Sequence, residues 1–159
     1  MFTRIVWGTA LIVVVVDQLT KQLAVMYLEG HAPIQLLGTW LQLSFARNPG
    51  GAFSIGTNAT IVFTVFALIA SVFIIRLTPR VASRGWAIVF GAILGGAVGN
   101  LLDRIFRTPE FLHGHVVDFI ALPHYPLFNI ADSSIFCAAV AGIVFTVRGS
   151  APLIEKAAS

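Results

Sequence analysis

Asp118 and Asp132 are the residues from which chemistry can start. They lie in two small polar motifs, Val116-Val117-Asp118-Phe119 and Phe128-Asn129-Ile130-Ala131-Asp132, beside segments apolar enough to lie in a bilayer. An ionised carboxylate in that setting is costly and is rarely present without a job. Two carboxylates close together in low dielectric hold one proton between them. One can then take a proton from water while the other protonates a scissile carbonyl. That is aspartyl-protease chemistry, and it calls for no metal, no cofactor and no covalent intermediate. Pro126 and Asn129 read as a helix start, with Asn129 as N-cap and Asp132 at the third helical position. There the helix dipole and free backbone N–H groups favour the anion, while the apolar surroundings oppose it.

Other reactive side chains are weaker candidates. His113-Gly114-His115, with His124, lacks a third ligand at helical spacing and makes a poor metal site. Cys137 sits among Phe136, Ala138 and Ala139 with no adjacent base, as a packing residue does. Ser133 and Ser134 have no His or Lys partner in their motif to activate a hydroxyl.

The elements that must hold these groups are membrane spans. Of 159 residues, 57% are hydrophobic and 11% charged, and the mean hydropathy is +0.89. A soluble domain carries about 25% charged residues, so this chain has too little charge to cover a soluble surface. The net charge of +3 is scattered over inter-span loops rather than gathered in a patch, which excludes nucleic acid as a partner. The single cysteine excludes an intramolecular disulfide. Apolar stretches at about 5–28, 59–77, 86–105 and 129–147 each approach the roughly 20 residues that a span requires. The pattern predicts an all-α integral membrane protein, one domain over 1–159, with four transmembrane helices and a small extracytoplasmic β-hairpin or cradle. No cleavable signal peptide is expected, since no small-x-small site follows the first apolar run.

Arg76, Arg80 and Arg84 lie between spans two and three with no acid nearby, which assigns that connection to the cytoplasm. Both termini, with Arg4, Arg148 and Lys156, then lie inside, and the segments 29–58 and 106–128 face outward. Arg47, Arg104 and Arg107 run against this balance without reversing it. In the first outer segment, Ile34–Leu37 and Trp40–Phe45 alternate apolar and polar residues around Gly38-Thr39, as a short hairpin on the membrane surface does. A Gly/Pro turn over Arg47–Phe53 follows it.

At about 1.5 Å per helical residue, Asp17 lies about 18 Å from the inner end of its span and Asn100 about 21 Å into the third. Asp132 lies only about 5 Å below the outer surface by the same rise. The polar groups of spans one, three and four therefore share the outer half, and the second span reads as scaffold. Asp17 and Lys21, four apart, form either a buried ion pair that joins helices or a support for the site. Gly91, Gly95 and Gly99 make a small-residue packing face. Asn100 and Arg104 share a face, and Asp103-Arg104 also has the form of an interfacial ion pair. An ion or proton relay is the competing class, but it would spread ionisable groups through the membrane, and the inner halves of the spans carry no acid. A purely structural subunit would not need two separate Asp motifs.

With these residues in view, the chain resembles the type II signal peptidases, the bacterial prolipoprotein signal peptidases, over nearly its whole length. The resemblance rests on Asp17-Gln18-Leu19-Thr20-Lys21, Asn48–Phe53, Gly95–Arg104, Val116–Phe119 and Phe128–Asp132, in that order on a four-span layout. It implies an aspartyl endopeptidase of the bacterial plasma membrane. Such an enzyme cuts diacylglyceryl-modified prolipoproteins before the lipidated cysteine, with membrane lipid around it and globomycin as an inhibitor. It implies Asp118 and Asp132 as the catalytic dyad. It also implies substrate-binding or supporting roles for Asp17, Lys21, Asn48, Gly51, Gly96, Asn100, Asp103, Arg104, Val117, Asn129 and Ala131. Pro49-Gly50 and the long insert 107–112 depart from the pattern at the outer rim, where they bear on substrate breadth.

Overall fold

Small residues decide how the helices meet. In α3 (Arg84–Phe106), a β-carbon at Gly91 would come within 2.6 Å of the Val6 carbonyl oxygen, and one at Gly95 within 2.7 Å of Val13 Cβ. That face seats α1 (Thr3–Tyr27) with backbone against backbone. Gly96 points the other way, where a β-carbon would lie 2.6 Å from the Ala131 carbonyl oxygen of α4 (Ile130–Val147). α3 is thus the central helix, gripped from two sides, with α2 (Ala59–Leu77) along a third. Ser83 caps α3, its hydroxyl accepting from the Trp86 amide at 3.3 Å.

The computed structural model describes residues 2–50 and 59–154. Four helices among these residues are long and apolar enough to cross a membrane, and at 25 residues α1 reaches about 37 Å. Their outer faces carry exposed Leu11, Ile12, Phe66, Phe73, Phe136 and Ile143. In water such a surface would be a liability, whereas in hydrocarbon it is the solvent-matched one. The fold is that of an all-α membrane protein carrying one small sheet.

The expected hairpin is present as β1 (Ile34–Leu37) antiparallel to β2 (Leu41–Asn48). A third strand not anticipated from sequence, β3 (Val116–Ala121), pairs antiparallel with β2, with Asn48 opposite Val116 and Ala46 opposite Asp118. Its apolar residues do not alternate, because Val116, Val117, Asp118 and Phe119 are all buried. A strand covered on both faces reads as a continuous apolar run, so periodicity could not reveal it. Val117 and Phe119 pack with Ala24 and Leu28, which lays the sheet across one end of α1.

Candidate active site

α4 begins inside the site. Asn129 is its N-cap: the Asn129 side-chain oxygen accepts from the Asp132 amide at 2.9 Å, and Asp132 Oδ2 accepts from the Asn129 amide at 3.3 Å. This reciprocal box holds the Asp132 carboxylate at the positive end of the helix. β3 delivers Asp118, 2% exposed, to the same place. Asn129 Nδ2 donates to Asp118 Oδ1 at 2.7 Å, so one asparagine touches both carboxylates. Asn48, at the end of β2, donates to Asp118 Oδ2 at 2.9 Å, and Asn100 of α3 donates to Asp132 Oδ1 at 2.8 Å. Among the described residues, each of the four carboxylate oxygens thus accepts one N–H. Burial raises the Asp118 carboxyl to about 6, and the charge of Asp132 adds to the rise against the donors Asn48 and Asn129.

Behind the carboxylates lies a buried ionic layer. Lys21 Nζ stands 2.8 Å from Asp17 Oδ2, 3.0 Å from Asp103 Oδ2 and 2.9 Å from Asn100 Oδ1. Asp17 Oδ1 accepts from the Ala131 amide at 2.9 Å, so a carboxylate of α1 satisfies a free N–H in the first turn of α4. Asp103 accepts from the Val117 amide at 3.1 Å and ties α3 to β3. The Asp17–Lys21 ion pair and the site support are therefore one arrangement. Asp103 pairs with Lys21 and with Arg107 at 2.7 Å, not with adjacent Arg104, because neighbouring positions on a helix do not face each other.

Arg104 is 8% exposed, with its guanidinium over the Phe63 ring at 5.6 Å. Among the described residues, its Nη1 has no hydrogen-bond acceptor. It opens on a cleft of about 300 Å³ that Asn100, Asp132, Phe63, Ala97 and Ile135 also line. A second cleft, of about 390 Å³ and lined by Leu122, Tyr125, Phe128, Phe136 and Cys137, reaches Asp132 from the opposite side. Two apolar approaches converge on one carboxylate.

The structure therefore brings Asp17, Lys21, Asn48, Asn100, Asp103, Arg104, Asp118, Asn129 and Asp132 to one end of the bundle. Val117 and Ala131 join through their backbone amides, and Gly96 and Gly99 through the close approach that they permit. Gly51 lies outside the described residues, as does Lys156. Two contributors were passed over in the sequence reading. Gln18 donates to the Gly99 carbonyl at 3.0 Å and to Asp103 at 3.2 Å, and Arg107 neutralises Asp103. The spacing of Asp103 and Arg107, four apart on α3, was the available signal for the latter. Among the described residues, no three His, Cys, Asp or Glu side chains gather as metal ligands.

Known proteins resemble this chain in sequence and in fold. The family model described as Signal peptidase (SPase) II matches residues 9–148. The lipoprotein signal peptidase of Streptomyces coelicolor is 45% identical over 148 residues, covering 93% of this chain and 72% of its own. That of Mycobacterium tuberculosis is 39% identical over 146 residues, covering 92% and 72%. A bacterial membrane enzyme solved by the in meso method at 2.3 Å superposes with a TM-score of 0.77 at 25% identity, over 95% of this chain and 92% of that one. The chain belongs to the signal peptidase II family, the membrane proteases that remove signal peptides from prolipoproteins.

Proposed function

We propose that this chain is an aspartyl endopeptidase that cuts diacylglyceryl-modified prolipoproteins immediately before the lipidated cysteine, with Asp118 and Asp132 as its dyad. The observation that carries the reading is the bridge through Asn129, which touches both carboxylates in a buried setting. The pair works with one proton. The ionised carboxylate takes a proton from water as the water oxygen bonds to the scissile carbonyl carbon, and the protonated one donates to the carbonyl oxygen. The tetrahedral diol then collapses: the C–N bond breaks, the nitrogen takes up a proton, and the dyad returns to one proton. Arg104 Nη1, without an acceptor among the described residues, suits a substrate backbone carbonyl beside Asp132. The cleft between α2, α3 and α4 is walled by apolar Phe66, Ala67 and Ala70, which suits a lipid-anchored substrate.

The same reading puts the chain in the bacterial plasma membrane as one domain with both termini cytoplasmic and the dyad near the outer face. Arg76, Arg80 and Arg84, grouped at the end opposite the dyad, support that orientation. The three arginines that ran against it have other partners: Arg47 is held by Glu29 at 2.8 Å, Arg107 by Asp103, and Arg104 is buried. Globomycin should compete for the site.

The test is cleavage of a lipidated prolipoprotein by purified protein in detergent. Asp118→Asn and Asp132→Asn keep the size and much of the hydrogen bonding but cannot carry the proton. Each should remain folded and lose at least about 100-fold in kcat. Normal cleavage by both variants would sink the dyad, and an inert wild type would sink the peptidase reading itself.

A further inference from the structure

Lys21 touches neither carboxylate of the dyad by any bond of the site, yet the orientation of the site's amides passes through it. Its ammonium is fully buried and its three hydrogens have three acceptors, on Asp17, Asp103 and Asn100. Asn100 Oδ1 accepts from the Lys21 ammonium at 2.9 Å and from the Asn129 side-chain Nδ2 at 3.2 Å, while Asn100 Nδ2 donates to Asp132 Oδ1. Turned over, the Asn100 side chain would set an NH2 against an ammonium and a second NH2, and an oxygen against a carboxylate. All three contacts would then be repulsive. Asn129 is held independently, by the Asp132 amide on its oxygen. Among the described residues, Asn100 has no comparable backbone partner; its oxygen accepts from Lys21 and from Asn129.

On the peptidase reading above, we infer that Lys21 is a positioning residue for the reaction: it fixes the Asn100 amide so that its N–H points at Asp132. The ion pair with Asp17 and the hold on Asn100 are two separate duties of one ammonium, and they can be separated. Asp17→Asn removes the ion pair but keeps an oxygen to accept from Ala131, and it leaves Lys21 on Asn100. Asp17→Asn/Lys21→Met also removes the ammonium. In that double variant Asp103 keeps Arg107 as its counter-charge, so no buried carboxylate of this layer is left unpaired.

The charged groups that act on the dyad are Lys21 from α1 and Arg104 from α3; Asp17 and Asp103 pair with Lys21, and His115 faces Arg47 and Arg104 beside the sheet. Of these, the double variant changes only the α1 pair. The Lys21 charge favours the ionised form of Asp118, so its loss should make Asp118 hold its proton more tightly and move the pH profile of kcat/KM to higher pH. Relative to Asp17→Asn, kcat should fall by about tenfold or more, as for losing a hydrogen bond to a charged group, with KM little changed.

The experiment measures kcat, KM and the pH profile of wild type and both variants on a lipidated prolipoprotein, with thermal midpoints to verify folding. A double variant as stable as Asp17→Asn, with lower kcat and a profile moved to higher pH, supports the positioning role. The same kcat and profile as Asp17→Asn would overturn it and leave Lys21 a structural counter-ion. If the double variant is unfolded, Asn100→Ala tests the same link and should reproduce the fall in kcat; if it does not, the inference fails. Inert wild type would instead overturn the peptidase reading.

Discussion

Asp118 and Asp132 do not have equivalent surroundings, and the difference is measurable. Asp118 comes from a strand, whereas Asp132 lies in the first turn of α4, and burial lifts the Asp118 carboxyl to about 6, with the negative charge of Asp132 adding to the rise. A pair that works with one shared proton loses it as pH rises through the upper of its two values. We therefore expect kcat/KM in detergent to decline above about pH 6. Asn48 donates to Asp118 and favours its ionised form. Asn48→Ala removes that donor, so the declining limb should move to higher pH while kcat falls. A limb that stays put, or moves to lower pH, would show that Asp118 does not govern it. The residue types were readable beforehand: Asp118, Asp132 and the N-cap Asn129 stand out as polar groups in apolar sequence. The bridging role of Asn129 was not readable, because it depends on β3 passing across the start of α4.

Between elements, the glycines of α3 set the distances on which the site depends. A β-carbon at Gly96 would meet the Ala131 carbonyl oxygen and Ile135 Cγ1, both at 2.6 Å, and neither backbone nor branched side chain can withdraw cheaply. Gly96→Ala should push the first turn of α4 away from α3, and Asp132 with it. The expected cost is about 1–3 kcal/mol in stability, with a loss of cleavage out of proportion to the lowered thermal midpoint. Gly8 of α1 is the control, since nothing lies within 4 Å of a β-carbon there. Gly8→Ala should leave cleavage intact and gain a few tenths to about 1 kcal/mol from helix propensity. Equal effects at the two positions would contradict the packing account. The spacing of Gly91, Gly95 and Gly99 made the face towards α1 legible in advance. The opposed face through Gly96 was hidden, because one position between two glycines of a repeat does not announce a second partner helix.

At the scale of the whole molecule, the sheet lies across one end of α1. Leu36, Leu37 and Trp40, around the β1–β2 turn, are more than half exposed, and Trp40 reaches 75%. An amphipathic indole at such a tip belongs at the headgroup level. In a variant keeping Trp40 as the sole tryptophan, lipids carrying a quencher near the headgroup should quench it more than lipids labelled at mid-chain. Quenching by iodide alone, with no effect of either lipid, would place the hairpin in water instead. The hairpin holds β2, and through it Asn48 and β3, in register over the end of α1.

The sequence by itself determined that the chain lives in a membrane, because its apolar fraction and run lengths leave no soluble alternative. It also singled out carboxylates at one end of the spans as the groups to propose for chemistry, because charge in hydrocarbon is costly. Only the tertiary structure decided which donors those carboxylates share, since Asn48, Asn100, Asn129 and Lys21 come from four different elements. It also decided that Asp103 answers to Lys21 and Arg107 rather than to its neighbour Arg104, and that β3 closes the sheet. Periodicity along one chain reports which face of an element is apolar. It carries no information about which polar atoms meet across elements, because that is fixed by register and close approach.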